Sequence, residues 1–73
     1  VRITIVPVGL IKKYAEACDL EVPDGTTPGT LIERLAIPKR LKMVAYVNGK
    51  RRALDEPLGA GDEVKLVTLL TGG

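Results

Sequence analysis

The sequence predicts one small α+β domain in which short strands accompany a single helix. Three observations predict it. Ile3 and Ile5 alternate with Arg2 and Thr4, the period-two pattern of a strand with one buried face, and Glu63 to Leu70 closes the chain with a second such run. Thr27-Pro28 ahead of Leu31, Ile32, Leu35 and Ala36 opens one amphipathic helix. Asn48-Gly49, set between two strand-like runs, is the strongest short hairpin signal a sequence offers.

Taken in order, the first strand is expected over Val1 to Val6, with Pro7 and Gly9 interrupting it. Leu10 to Ala15 reads as either one short helical turn or a bulged connection. A second strand follows over Ala17 to Val22, with Cys18 as a small, half-buried hydrophobe. Pro23-Asp24-Gly25 then supplies turn chemistry: fixed φ, a side chain that bonds back to the backbone, and a residue free to take positive φ. Thr27 is the expected N-cap and Pro28 the first helical residue, where its missing N–H costs nothing. Pro38 should end the helix after about nine residues, short enough that packing rather than propensity must hold it.

Met43 to Val47 is the third strand, and Asn48-Gly49 favours a type I′ turn into a short basic strand over Lys50 to Ala53. Such a charged strand reads as a protected sheet edge. Leu54 and Leu58 are expected to reach the core from the connection that follows, and Gly59-Ala60-Gly61-Asp62 forms another turn. No helix opens after those glycines, which argues against a phosphate loop. In the closing strand Val64, Leu66 and Thr68 share one face, while Lys65, Val67 and Leu69 share the other. A strand apolar on both faces belongs in the middle of a sheet.

Composition narrows the function by exclusion. A chain of 73 residues makes one domain without repeats or linkers, and one of this size buries only about 60% of its unfolded surface. Tyr14 and Tyr46 are the only aromatics, so Val, Leu, Ile and Ala must fill the interior. There is no histidine, serine or tryptophan, which removes Ser-His-Asp and Cys-His nucleophile pairs and histidine-based metal sites. The domain is therefore not expected to be an enzyme or to bind a metal. A single cysteine and the lack of a signal peptide or an apolar span point to the cytoplasm and away from membranes. Basic residues gather at Lys39, Arg40, Lys42 and at Lys50, Arg51, Arg52, yet the net charge is only +2 and no aromatics interleave, which argues against nucleic acid.

The final residues carry the functional expectation. Past Leu70 the sequence runs through Thr71 into Gly72 and Gly73, and glycines that close a chain have no turn to make. The expected organisation is a folded domain over 1–70 and a flexible arm over 71–73. Such an arm is thin, free of side chains past Thr71, and ends in a carboxylate.

Val22-Pro23-Asp24-Gly25-Thr26-Thr27, Val47-Asn48-Gly49, Gly61-Asp62-Glu63-Val64 and Gly72-Gly73, in this order and spacing, resemble the ThiS/MoaD family of ubiquitin-like sulfur carriers over essentially the whole chain. The resemblance implies a β-grasp fold: a mixed sheet of four to five strands packed on one helix, with the first and last strands parallel at its centre. It implies no bound cofactor. A ThiF/MoeB-type activating enzyme would use ATP and Mg²⁺ to adenylate the Gly73 carboxylate, and a sulfur donor protein would convert it to a thiocarboxylate. That sulfur would pass to an acceptor, a synthase resembling either the molybdopterin synthase large subunit or thiazole synthase. Gly72 and Gly73 are the implied reacting residues, with Thr71, Leu70, Leu69, Val67 and Met43 as candidates for partner binding. The length of Pro7 to Ala15 is similar to the molybdopterin-synthase small subunit, and the short passage Ile37 to Lys42 to the thiazole-pathway carrier. Because phenylalanine is absent, an aromatic docking face does not carry over.

Two other readings stand beside this one. The same activated Gly73 would serve a protein modifier that forms isopeptide bonds with lysines. A non-covalent β-grasp binding module of the TGS type would share the Pro-Asp-Gly-Thr-Thr turn and the Val-Asn-Gly hairpin.

Overall fold

Strand β5 (Glu63–Thr68) occupies the middle of a five-stranded sheet. In the computed structural model, which describes residues 1–38 and 41–68, the other strands are β1 (Arg2–Pro7), β2 (Cys18–Glu21), β3 (Met43–Val47) and β4 (Lys50–Arg52), and the order across the sheet is β2-β1-β5-β3-β4. β1 and β5 run parallel, Ile5 beside Val64, whereas the remaining pairs are antiparallel. The closing strand is central, as its sequence predicts, with a hydrogen-bonded neighbour on each side.

Pro7 does not interrupt β1 but is its last residue, buried and beside Leu66. Thr4 and Val8 send their N–H groups to Asp62 and Leu66, on the β5 side. By alternation the N–H position of Pro7 faces the β2 side, and β2 has already ended at Cys18 opposite Ile5. No ladder bond is lost, so proline is tolerated there.

One face of the sheet carries the core. Ile3, Ile5, Met43, Ala45, Val47, Val64 and Leu66 meet Leu31 of helix α1 (Pro28–Arg34), Ile11 of a 3₁₀ helix (Gly9–Lys13), and Val22, Ile37 and Leu58 from the connections. The 3₁₀ helix resolves the open reading of Leu10 to Ala15 in favour of a helical turn. Leu58 is buried as expected, but Leu54 is 39% exposed. Its backbone is engaged instead, since its carbonyl accepts the Gly29 N–H at 2.9 Å. A Cβ at position 29 would lie 3.0 Å from that same oxygen, so the glycine lets the connection pass close against the helix.

Helix α1 begins as its sequence dictates and ends differently. The Thr27 hydroxyl accepts from the Thr30 N–H at 3.2 Å, and the Thr30 hydroxyl accepts from the Thr27 N–H at 2.8 Å, a reciprocal cap. At the other end Ala36 is exposed rather than on the buried face, with φ of 58°. Ala36 N–H donates to Glu33 and Ile37 N–H to Ile32, the hydrogen-bond pair of a Schellman stop. The helix therefore closes at Arg34, after seven residues, before Pro38 can act. An alanine in left-handed backbone costs roughly 1–2 kcal/mol, partly offset by the extra chain entropy of a glycine. Ala36→Gly is expected to stabilise the domain by about 0.5–1 kcal/mol, measured as a higher midpoint in urea denaturation.

The Asn48-Gly49 and Gly59–Asp62 turns are joined to each other. Asn48 and Gly49 have φ of 53° and 85°, the type I′ geometry expected for the pair. The Asn48 amide donates to Asp62 Oδ1 at 2.9 Å and its oxygen accepts the Glu63 N–H at 2.9 Å, while Asp62 Oδ2 accepts the Gly59 N–H at 2.7 Å. The Gly59 N–H first, then the Asn48 amide, hold the Asp62 carboxyl below the usual carboxylate range; burial opposes them, and the charge of Arg52 adds the least. A carboxylate with a depressed folded pKa stabilises above its unfolded value, near pH 4, and loses that contribution as pH falls through the folded value. Asp62→Asn should therefore be less stable than the parent at neutral pH, with the gap closing on acidification below about pH 4. Urea melts of both proteins across that range check this, and a gap independent of pH would contradict it.

Candidate functional site

Helix α1 covers one face of the sheet, and among the described residues no element lies over the other. Strand alternation and pairing register assign that outer face. Lys65 and Val67 point there from β5, away from buried Val64 and Leu66. Lys65 is flanked by Val6 of β1 and Tyr46 of β3, and Val67 by Val44 of β3. Val6, Tyr46 and Val67 are half-buried, whereas Val44 is buried yet lies outside the main core cluster. Arg51, paired with Tyr46, continues this surface onto β4. The result is an aliphatic patch around one tyrosine, edged by two cations.

Toward the other side of the sheet the polarity reverses. Thr4 on the outer face donates its hydroxyl to Asp19 Oδ1 at 2.7 Å, and Glu21 lies beside Arg2. The outer face therefore grades from acidic at β2 to basic at β4.

Of the residues the sequence singles out, Val67 stands on this outer face. Met43 stands on the opposite one, packed in the core beside Thr68 in register. The remaining surface of Met43 lines a shallow groove with Ile32, Leu41 and Leu54. One flat partner surface cannot engage both residues. Leu69, Leu70, Thr71, Gly72 and Gly73 lie outside the described residues. Sequence reasoning missed Val6, Val44 and Tyr46 as surface neighbours of Val67, although alternation in β1 and β3 carries that signal once strand order is known. It also misplaced Cys18, which is exposed on the edge strand β2 rather than half-buried. β2 lies at the edge of the sheet and packs chiefly on β1, which leaves its end at Cys18 open to solvent. Among the described residues no group of three or more His, Cys, Asp or Glu side chains is placed to hold a metal, and no helix is long and apolar enough to cross a membrane.

A mixed five-stranded sheet folded on one helix, with β1 and β5 parallel at its centre, is the ubiquitin-like β-grasp arrangement, and solved structures agree. SAMP1 from Haloferax volcanii superposes with a TM-score of 0.74 at 20% identity, over 99% of each chain. A protein assigned as molybdopterin converting factor subunit 1 from Pyrococcus furiosus gives 0.75 at 19% identity, over 96% of this chain and 99% of that one. The ubiquitin of Caldiarchaeum subterraneum gives 0.63 at 26% identity, over 99% of this chain and 96% of its own. No single curated protein matches the chain in sequence. The sequence pattern of the ThiS family, however, matches residues 8–73, and the chain belongs to that family. It is thus a small ThiS-family protein with the ubiquitin-like fold.

Proposed function

We propose that this chain is a sulfur carrier whose reacting group is the Gly73 carboxylate. The observation that carries this reading is the family match, which runs through residue 73 and so includes Gly72-Gly73. A carboxylate resists nucleophiles because its charge repels them and oxide is a poor leaving group, so a partner must activate it. In the proposed sequence a Gly73 carboxylate oxygen attacks the α-phosphorus of ATP, with Mg²⁺ held by the activating enzyme, and pyrophosphate leaves. The terminal sulfur of a protein persulfide then attacks the acyl carbon and AMP leaves. A thiol cleaves the resulting acyl disulfide, taking the donor sulfur into a disulfide and releasing the thiocarboxylate.

The role of this domain is presentation. Strand β5, which leads toward the terminal residues, lies in the middle of the sheet, and glycines without side chains suit a narrow channel leading to a nucleotide. The outer-face patch of Val6, Val44, Tyr46 and Val67, edged by Lys65 and Arg51, is the surface we assign to docking on a ThiF/MoeB-type enzyme. An acidic rim on that partner would steer association in a salt-dependent way. The acceptor would be a synthase of molybdopterin or thiamine-thiazole type biosynthesis, and the setting cytoplasmic.

Incubation with an activating enzyme, ATP, Mg²⁺ and a persulfide donor tests the reading by intact-mass measurement. A species about 16 Da heavier, oxygen replaced by sulfur, is expected. The alternative, a modifier conjugated through Gly73, is favoured by the likeness to SAMP1 and to the Caldiarchaeum subterraneum ubiquitin. Gly-Gly remnants on target lysines with no thiocarboxylate would replace the carrier reading with that one.

A further inference from the structure

We propose that the two edges of the sheet, β4 and β2, are complementary to each other, so that copies of this chain associate head to tail through β4 of one and β2 of the next. Among the described residues both edges are open, because β2 packs chiefly on β1 and β4 chiefly on β3.

Three independent properties of the edges match. The first is direction. β1 and β5 run one way and β3 the other, so β4 runs with β1 and β2 runs against it. A second copy displaced sideways without being turned over brings its β2 antiparallel to β4, with both helices on the same side.

The second is backbone polarity. Val22 and Val1 bond to each other across β2 and β1, so by antiparallel alternation Leu20 and Cys18 also face β1, and the N–H and C=O of Asp19 and Glu21 point outward. On the other edge Asn48 N–H bonds to Glu63, which sets Tyr46 and Val44 toward β5 and leaves Val47 and Ala45 facing β4. Lys50 and Arg52 are therefore engaged with β3, and the free backbone groups of β4 belong to Arg51.

The third is charge. Arg51, Asp19 and Glu21 all carry their side chains on the outer face, so the residues whose backbones are free are also those of opposite sign on one surface. Pairing Arg51 with Asp19 of a second copy sets Arg52 opposite Cys18 and Lys50 opposite Leu20, with Glu21 one diagonal step from Arg51. Arg52 is partly occupied by Glu56 at 3.5 Å, whereas Arg51 makes no ion pair among the described residues. The stretch 14–33 contains Glu16, Asp19, Glu21, Asp24 and Glu33 without a cation, and 39–54 contains Lys39, Arg40, Lys42, Lys50, Arg51 and Arg52 without an acid. Two-fold pairing of like edges would set like charges opposite one another and is disfavoured. The heterologous contact leaves a free edge at each end, so it extends into a chain or closes into a ring according to sheet twist.

Sedimentation velocity of the full chain, in reductant to keep Cys18 a thiol, tests this. At about 20 mM salt the average mass should rise with concentration above the 7.8 kDa monomer, and at about 500 mM salt it should return to monomer. Arg51→Glu alone and the double variant Asp19→Lys, Glu21→Lys alone should both remain monomeric at low salt, each then carrying outer-face charges of the same sign on both edges. Their equimolar mixture should associate again, because each supplies the edge the other lacks. Circular dichroism melts confirm that both variants fold. A parent that stays monomeric to about 1 mM at low salt, variants that associate like the parent, or a mixture that fails to associate would each overturn the proposal.

Discussion

Gly73→Trp is expected to lose ATP-dependent thiocarboxylation by a factor of about 100 or more while unfolding at the parent's midpoint. Adenylation requires one carboxylate oxygen to come within bonding reach of a phosphorus held by another protein, and displacement of a reacting atom by an ångström can cost about 100-fold. An indole on the α-carbon bearing that carboxylate demands room that the natural residue never uses. The folded core draws on residues from Ile3 to Leu66, so its stability should not register the change. Intact-mass assay of thiocarboxylate and a thermal melt on the same preparation separate the two effects. Full sulfur loading of the variant would show that the arm has no channel to thread.

Leu66→Ala should have the largest effect on the fold itself. Leu66 is fully buried at the centre of β5, beside Ala45 on one side and Pro7 on the other, and its carbonyl accepts the Val8 N–H at 3.0 Å. Truncating a buried leucine costs about 2–5 kcal/mol, the spread reflecting how far the cavity collapses. At the usual 0.05–0.15 kcal/mol per residue, a chain of this length holds only roughly 4–11 kcal/mol in total. The variant should therefore be marginal or unfolded at 25 °C, as read from urea denaturation. Val67→Ala, one residue along and half-buried on the outer face, should cost about 1 kcal/mol or less. Equal losses at both positions would mean that the outer face is packed as tightly as the core.

The order and kinds of element were legible because they rest on local chemistry. Thr27-Pro28 caps a helix through groups three residues apart, and Asn48-Gly49 turns a hairpin through its own backbone angles. The alternation of Val64 and Leu66 with Lys65 and Val67 states two faces without knowing what covers either. Where local signals competed, the reading failed in identifiable ways. Ala36 fits a helical face by spacing, yet Schellman hydrogen bonds placed it in left-handed backbone, where glycine is the usual resident. Leu54 looked like a core leucine, but it is held through its carbonyl against Gly29, and its side chain stays outside. The site was legible in its reacting group, as a proposal resting on Gly72 and Gly73 and on family membership. Of the partner-binding candidates among the described residues, Val67 lies on the outer face of the sheet and Met43 in the core.

The sequence by itself determined the strands and the helix, their order, the capped start of α1, the type I′ hairpin and the two faces of β1 and β5, since these depend on residues within a few positions of one another. Only the tertiary structure decided that Met43 and Val67 stand on opposite faces, that Asn48 and Asp62 bond across 14 positions, and that the acidic and basic stretches become the two edges of one sheet. Those facts arise from strand order and register. Both are set by which apolar faces must share a core, a condition that no short stretch of chain contains.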